Sequence, residues 1–182
     1  MNAIAYVAFL RGINVCGNSL IKMTELKKSF EALGLKKVTP VLASGNVVFT
    51  TETDLDLKAR IESMLSKDFE VRATAIVRNA RQISELTKLN PFQPAELGPK
   101  TKVHVTFLGR EKGTGSEFPA RVPDKQFHII QTSRSEIYSA VDMSGNARTP
   151  ELMKSLEKRF GKDITTRTWN TVEKVARLLA CA

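Results

Sequence analysis

The sequence predicts an α+β fold of two ferredoxin-like (β-α-β-β-α-β) halves, the second with a degenerate first helix. Three observations lead there. Strand-length apolar runs alternate with helix-period stretches in the same order twice. Hairpin chemistry stands at the matching place in each half. A Pro-rich break, Asn90-Pro91-Phe92-Gln93-Pro94 followed by Gly98-Pro99, separates the two.

The first half opens on Ile4–Leu10, an apolar run suited to a central strand covered on both faces. Leu26, Phe30 and Leu33 then fall at i, i+4 and i+7 of a helix that Gly34 ends. Val38–Ala43 and Asn46–Thr51 flank Ser44-Gly45 as a hairpin. A second helix from near Asp54 places Leu57, Ile61, Met64 and Leu65 on one side, and Glu70–Val77 reads as the fourth strand. Asn79-x-x-Gln82 has capping-box spacing and opens a linking helix with Ile83, Leu86 and Leu89 inward.

The second half begins with the alternating strand Lys102–Leu108. Gly113–Pro123 is Gly/Pro-rich and leaves room for one helical turn near Phe118–Val122. Gln126–Gln131 and Glu136–Val141 flank Thr132–Ser135 as a second hairpin. Thr149-Pro150-Glu151 starts a helix with Leu152, Met153, Leu156 and Phe160 inward. Asp163–Arg167 is a short strand, and Asn170-x-x-Glu173 caps a last helix with Val172, Val175, Ala176 and Leu179 inward. The division is therefore residues 1–78, a linking helix and connector over 79–99, and residues 100–182. Topology repeats between the halves without a clear repeat in sequence.

Composition narrows the function classes. Of 182 residues 42% are hydrophobic, enough for a real core. No apolar run nears the ~18 residues of a membrane span, so no membrane partner is expected. Met1–Ile4 leads into the first strand without a basic leader, the pattern of a cytoplasmic protein. The net charge of +9 is spread over both halves; such diffuse charge attracts nucleic acid weakly and without selectivity. Cys16 and Cys181 form no disulfide framework, and with His104 and His128 they make no metal-ligand spacing, so no metal is expected. Cys16 sits in a Gly-rich loop near a helix start without a histidine nearby in sequence to act as base. The third strand, Asn46–Thr51, has a single aromatic, Phe49, and lacks the basic lead residue of an RNA-recognition sheet.

Three polar strings end apolar stretches: Arg11-Gly12-Ile13-Asn14, Ser44-Gly45-Asn46 and Thr166-Arg167-Thr168-Trp169-Asn170. In a β-α-β-β-α-β unit the loop after the first strand and the hairpin between the second and third share one edge. Arg11–Asn14 and Ser44–Asn46 should therefore converge. In the second half Ser144–Arg148 and Arg167–Asn170 should converge at the opposite edge. Arginine, asparagine and exposed loop N–H groups suit an anion. The candidate ligand-binding residues are Arg11, Asn14, Ser44, Asn46, Arg148, Arg167 and Asn170. Several residues of these strings have a plainer reading: turn residues for Asn14 and Asn46, a helix cap for Asn170, an ion pair for Arg167, a core anchor for Trp169.

Taken together, Arg11–Val15, Lys22-Met23-x-x-Leu26, Ser44–Phe49 and Arg167-x-Trp169-Asn170-Thr171-Val172-x-Lys174 resemble the DUF1697 family along essentially the whole chain. Cys16-Gly17 stands where that family typically shows Gly-Gly. The resemblance implies a bacterial cytosolic protein with two ferredoxin-like halves, and implies no catalytic residue, substrate or cofactor. Three function classes fit: a binder of a small anionic or nucleotide-like ligand at strand-end loops, a metal-free enzyme on a phosphorylated metabolite, and a weak nucleic-acid or protein interaction module. Catalytic residues, cofactor and oligomeric state are left open.

Overall fold

A computed structural model describes residues 3–14, 20–53, 55–93, 97–110, 127–144 and 149–182. The expected helical turn within Gly113–Pro123 lies outside the described residues. Among those described, the chain is α+β, with two four-stranded antiparallel sheets and five helices. It forms two compact units, Met1–Thr87 with Glu173–Ala182, and Lys88–Val172.

In the first unit β1 (Ile4–Arg11) is followed by α1 (Met23–Ala32), β2 (Lys36–Val41), β3 (Asn46–Thr51), α2 (Leu57–Phe69) and β4 (Thr74–Asn79). The sheet order is β2-β3-β1-β4. Side chains alternate across a strand, and Tyr6, Ala8, Leu10, Val47, Phe49 and Ala75 form one face. That face packs on Leu26 and Phe30 of α1 and on Leu57, Ile61 and Leu65 of α2. Each such large side chain contributes about 1.5–3 kcal/mol on burial. β1 is central, and the opposite face, with Val7 and Phe9, is buried too, which explains its unbroken apolar run. Two strand starts differ from expectation. β2 begins at Lys36, with a register shift before Thr39 that the side-chain pattern does not signal. β4 begins at Thr74 rather than Glu70, because Glu70 adopts a left-handed conformation that stops α2.

The reciprocal capping box is formed. Asn79 N–H donates to Gln82 Oε1 at 2.9 Å, and Gln82 N–H donates to Asn79 Oδ1 at 2.9 Å. It opens α3 (Ala80–Leu89), whose Ile83 and Leu86 are buried. Leu89, expected inward, is exposed, since the apolar stripe ends one turn earlier.

The second unit contains β5 (Thr101–Leu108), β6 (Phe127–Thr132), β7 (Glu136–Asp142), α4 (Thr149–Phe160) and β8 (Ile164–Thr168) in the order β6-β7-β5-β8. α5 (Trp169–Ala180) begins directly after β8. Leu108, Ile137, Val141 and Ile164 pack on Leu152 and Leu156 of α4. The registers match those of the first unit. Val7 stands opposite Val48 and Arg78, and Val105 opposite Tyr138 and Arg167. Phe9 stands opposite Asn46 and Ile76, and Phe107 opposite Glu136 and Thr165. Val7-Ala8-Phe9-Leu10 thus corresponds to Val105-Thr106-Phe107-Leu108. Even the hairpin closure recurs: Leu10 N–H donates to Gly45 O at 2.7 Å, and Leu108 N–H to Ser135 O at 2.8 Å.

Candidate functional site

The end of β1 and the β2–β3 hairpin meet as the topology requires. Arg11 closes β1 opposite Thr74 and is half-buried. The chain then turns through Gly12 at φ +87° and Asn14 at φ +53°. Asn14 acts as a clamp: its Oδ1 accepts Ile21 N–H at 2.7 Å, and its Nδ2 donates to Ala43 O at 3.0 Å. One amide side chain thereby ties the loop start, the segment before α1 and the hairpin. Gly45 (φ +78°) lies below this clamp, and a Cβ there would meet Ile13 Cδ1 at 2.7 Å. That glycine is required by both conformation and space. Asn46 is not a turn residue but the first residue of β3, fully buried. Its Nδ2 donates to Val41 O at 2.8 Å and to Ser44 Oγ at 3.1 Å. Ser44 is exposed at the tip. The structure brings Arg11, Asn14, Ser44 and Asn46 to one edge, with both asparagine amides engaged on backbone carbonyls.

In the second unit Arg167 occupies β8 opposite Val105. Its Nη1 donates to Thr165 Oγ1 at 2.8 Å and to Thr166 O at 2.8 Å. Burial pushes its pKa down to about 10; a guanidinium taken from water loses solvation of its charged form. α5 begins at Trp169, so Asn170 lies inside the first turn, exposed, instead of at the cap position. Thr168 precedes the helix, and its Oγ1 lies 2.9 Å from Thr171 Oγ1. Trp169 packs edge-on against Phe92, with ring centroids 5.1 Å apart, and Phe92 meets Tyr138 the same way at 6.0 Å. Trp169 therefore works as a packing anchor of this unit. At the end of β7, Ser144 N–H donates to Asp142 Oδ1 at 2.8 Å. Bonds from Ser144, side chain and backbone, hold the Asp142 carboxyl below its ordinary pKa. Arg148 and the rest of Gly145–Arg148 lie outside the described residues.

Two features escaped the sequence reading. Arg78 sits in β4, 9% exposed, at the register position that Arg167 has in β8. Its Nη1 donates to Val77 O at 3.0 Å, the bond Arg167 makes to Thr166 O. The shared Val-x-Phe-Leu of the first strands is the signal that would have aligned them. The second feature is a polar stripe on the helix-facing side of the second sheet. His104 pairs in register with Ser139 and Thr168, and Thr106 with Thr166. Thr106 Oγ1 and Thr166 Oγ1 are 2.7 Å apart. Ser139 Oγ is buried and has no hydrogen-bond partner among the described residues. Burial lowers the His104 pKa below its ordinary value.

Among the described residues no group of three or more His, Cys, Asp or Glu could hold a metal. No helix among them is long and apolar enough to cross a membrane. Cys181 is exposed at the end of α5, and Cys16 lies outside the described residues.

No curated protein matches the chain. Its fold is similar to that of the conserved bacterial protein SP0830 from Streptococcus pneumoniae, with a TM-score of 0.72 and 20% identity. The match covers 98% of this chain and 99% of that one. The model of the family described as protein of unknown function (DUF1697) matches residues 4–138. The strings that end β1 and open β3 fall inside that match, and the chain belongs to the DUF1697 family.

Proposed function

We propose that the chain is a duplicated ferredoxin-like protein of the cytoplasm that binds a small oxyanion-bearing ligand, with Arg167 as its principal cation. The observation that carries this reading is the state of the Arg167 guanidinium. It is withdrawn from water far enough to lower its pKa to about 10, and its Nη1 is oriented by Thr165 Oγ1 and Thr166 O of its own strand. The planar fork of arginine suits phosphate or carboxylate oxygens. The first N–H groups of α5, which starts two residues later, add a favourable dipole.

In the first unit Arg11 would supply charge. The Asn14 and Asn46 amides shape the edge rather than reach the ligand, leaving Ser44 and loop N–H groups to make directional bonds. The duplicated ferredoxin-like reading is supported by the matching sheet orders and by the repeated closure from Leu10 and Leu108.

Thermal unfolding of the full chain with a panel of nucleotides, phosphorylated sugars and inorganic phosphate tests the reading. A ligand at about 100 times its Kd stabilises by about 2.7 kcal/mol, a rise of roughly 5–10 °C for a chain of this size. The rise is expected for one ligand class in wild type and absent in Arg167→Ala. No rise for any anion, or an equal rise in Arg167→Ala, would defeat the proposal.

A further inference from the structure

α1 and α2 share the core of the first unit, yet a cleft of about 580 Å³ remains between them on the solvent side. Small residues line it from both helices, Ser29 and Ala32 on α1 and Ala59 and Ser63 on α2. Half-buried Leu33 and buried Met64 supply its apolar wall. The volume is that of a small-molecule site, and all its lining residues belong to the first unit.

The charges around the cleft balance: Arg60 and Lys67 against Asp56 and Asp68. Asp56, Arg60, Ser63 and Lys67 stand at i, i+4, i+7 and i+11 and form one stripe along α2. Helix cations nearby are spent on neighbours, Lys27 on Glu31 at 3.7 Å and Lys58 on Glu62 at 4.0 Å. The side chains of Asp56, Lys67 and Asp68 make no hydrogen bond or ion pair among the described residues. Arg60 lies one turn from Asp56, where a helical ion pair would form. Its Nη2 instead donates to Leu33 O at 2.6 Å. That bond caps the end of α1 and ties the two helices together, so the cleft is held open without a ligand.

We propose that this cleft binds a small zwitterion, an amino acid with an apolar side chain. Arg60 and Lys67 take its carboxylate, Asp56 takes its ammonium, and Leu33 and Met64 cover its side chain. Arginine and lysine suit a carboxylate through charge-assisted hydrogen bonds. A plain anion would meet two carboxylates as well as two cations and gains less. The site does not involve Arg167, so it stands or falls apart from the oxyanion reading.

Titration of the isotope-labelled full chain with L-leucine, followed by amide chemical shifts, tests it. Isocaproate and isoamylamine, which keep the side chain but carry one charge each, form the comparison arms. Saturable shifts are expected at the Ser29, Ala32, Ala59 and Ser63 amides with L-leucine. Each one-charge analogue is expected to bind about tenfold or more weakly. Ser63→Trp fills the cleft from an exposed position and should abolish the shifts. Lys67→Met, also at an exposed position, should weaken binding about tenfold. Amide shifts elsewhere that match wild type show that both variants keep the fold. No saturable shift with L-leucine, or full binding in Ser63→Trp, overturns the proposal. Isocaproate binding as tightly as L-leucine overturns the zwitterion. Shifts at these amides that follow protein concentration alone would mark docking of a second copy, and overturn it too.

Discussion

The two sheets share a register and differ in what they turn toward their helices. In the first unit Tyr6 stacks on Phe49, ring centroids 5.9 Å apart, with Ala8 and Val77 beside them. At the corresponding positions the second unit carries His104, Ser139, Thr106 and Thr166. The helix that follows the fourth strand differs in the same sense: Asn79 and Gln82 make a full capping box, whereas Thr168 and Thr171 share one hydroxyl contact. Backbone pairing therefore does not dictate inner-face chemistry. The first unit has a conventional apolar core, and the second keeps buried polar groups that contribute less to stability.

The largest expected effect follows from the matched pair Phe49 and Ser139. Phe49→Ala removes a fully buried ring and should destabilise by about 3–5 kcal/mol. Ser139→Ala removes a hydroxyl lacking a described partner and should change stability by about 1 kcal/mol or less, in the stabilising direction. Equal losses from the two, measured by urea unfolding, would break the contrast.

Asn14→Ala comes next. It deletes the clamp between Ile21 and Ala43 and puts alanine at φ +53°. A loss of about 2–3 kcal/mol is expected from the two causes together. Asn14→Gly keeps the backbone conformation and should recover about 1 kcal/mol of it. If both variants unfold like wild type, the edge is not held by this side chain.

Smaller again, Gln82→Ala opens the capping box and should cost about 1 kcal/mol. Hydrogen exchange should show faster opening at the start of α3; unchanged rates there would mean the box holds nothing.

The mildest test is of pH. Burial lowers the folded-state His104 pKa below the unfolded value of about 6.5. The unfolded state then binds more protons between those two values. Stability is fully present above pH about 6.5, declines as pH falls toward the folded pKa, and is constant below it. His104→Gln should flatten that slope. A slope that survives the substitution must come from other titrating groups.

Much of this organisation is legible in the sequence because it depends on local pattern. The apolar period marks α1 and α2, and Asn79-x-x-Gln82 spells its box outright. Chain order alone puts the Arg11–Asn14 loop beside the Ser44–Asn46 hairpin, as the bond from Asn14 Nδ2 to Ala43 O bears out. What escapes the sequence depends on pairing over long separations. The role of Asn14 needs Ile21 and Ala43 in place. Arg78 reads as an ordinary strand-end cation until the register aligns it with Arg167. The left-handed Glu70 that delays β4 has no residue-type signal.

The central claim is that Arg167 is kept for a ligand rather than for the fold. The measurement that tests it most directly is equilibrium unfolding of wild type and Arg167→Met, each with and without the anion found by thermal unfolding. Burial lowers the Arg167 pKa to about 10, which means that the folded state carries a desolvation cost for this charge. The account predicts that Arg167→Met is at least as stable as wild type without the anion and gains nothing when it is added. A variant that is several kcal/mol less stable without the anion, or that is stabilised by it as fully as wild type, would contradict the claim.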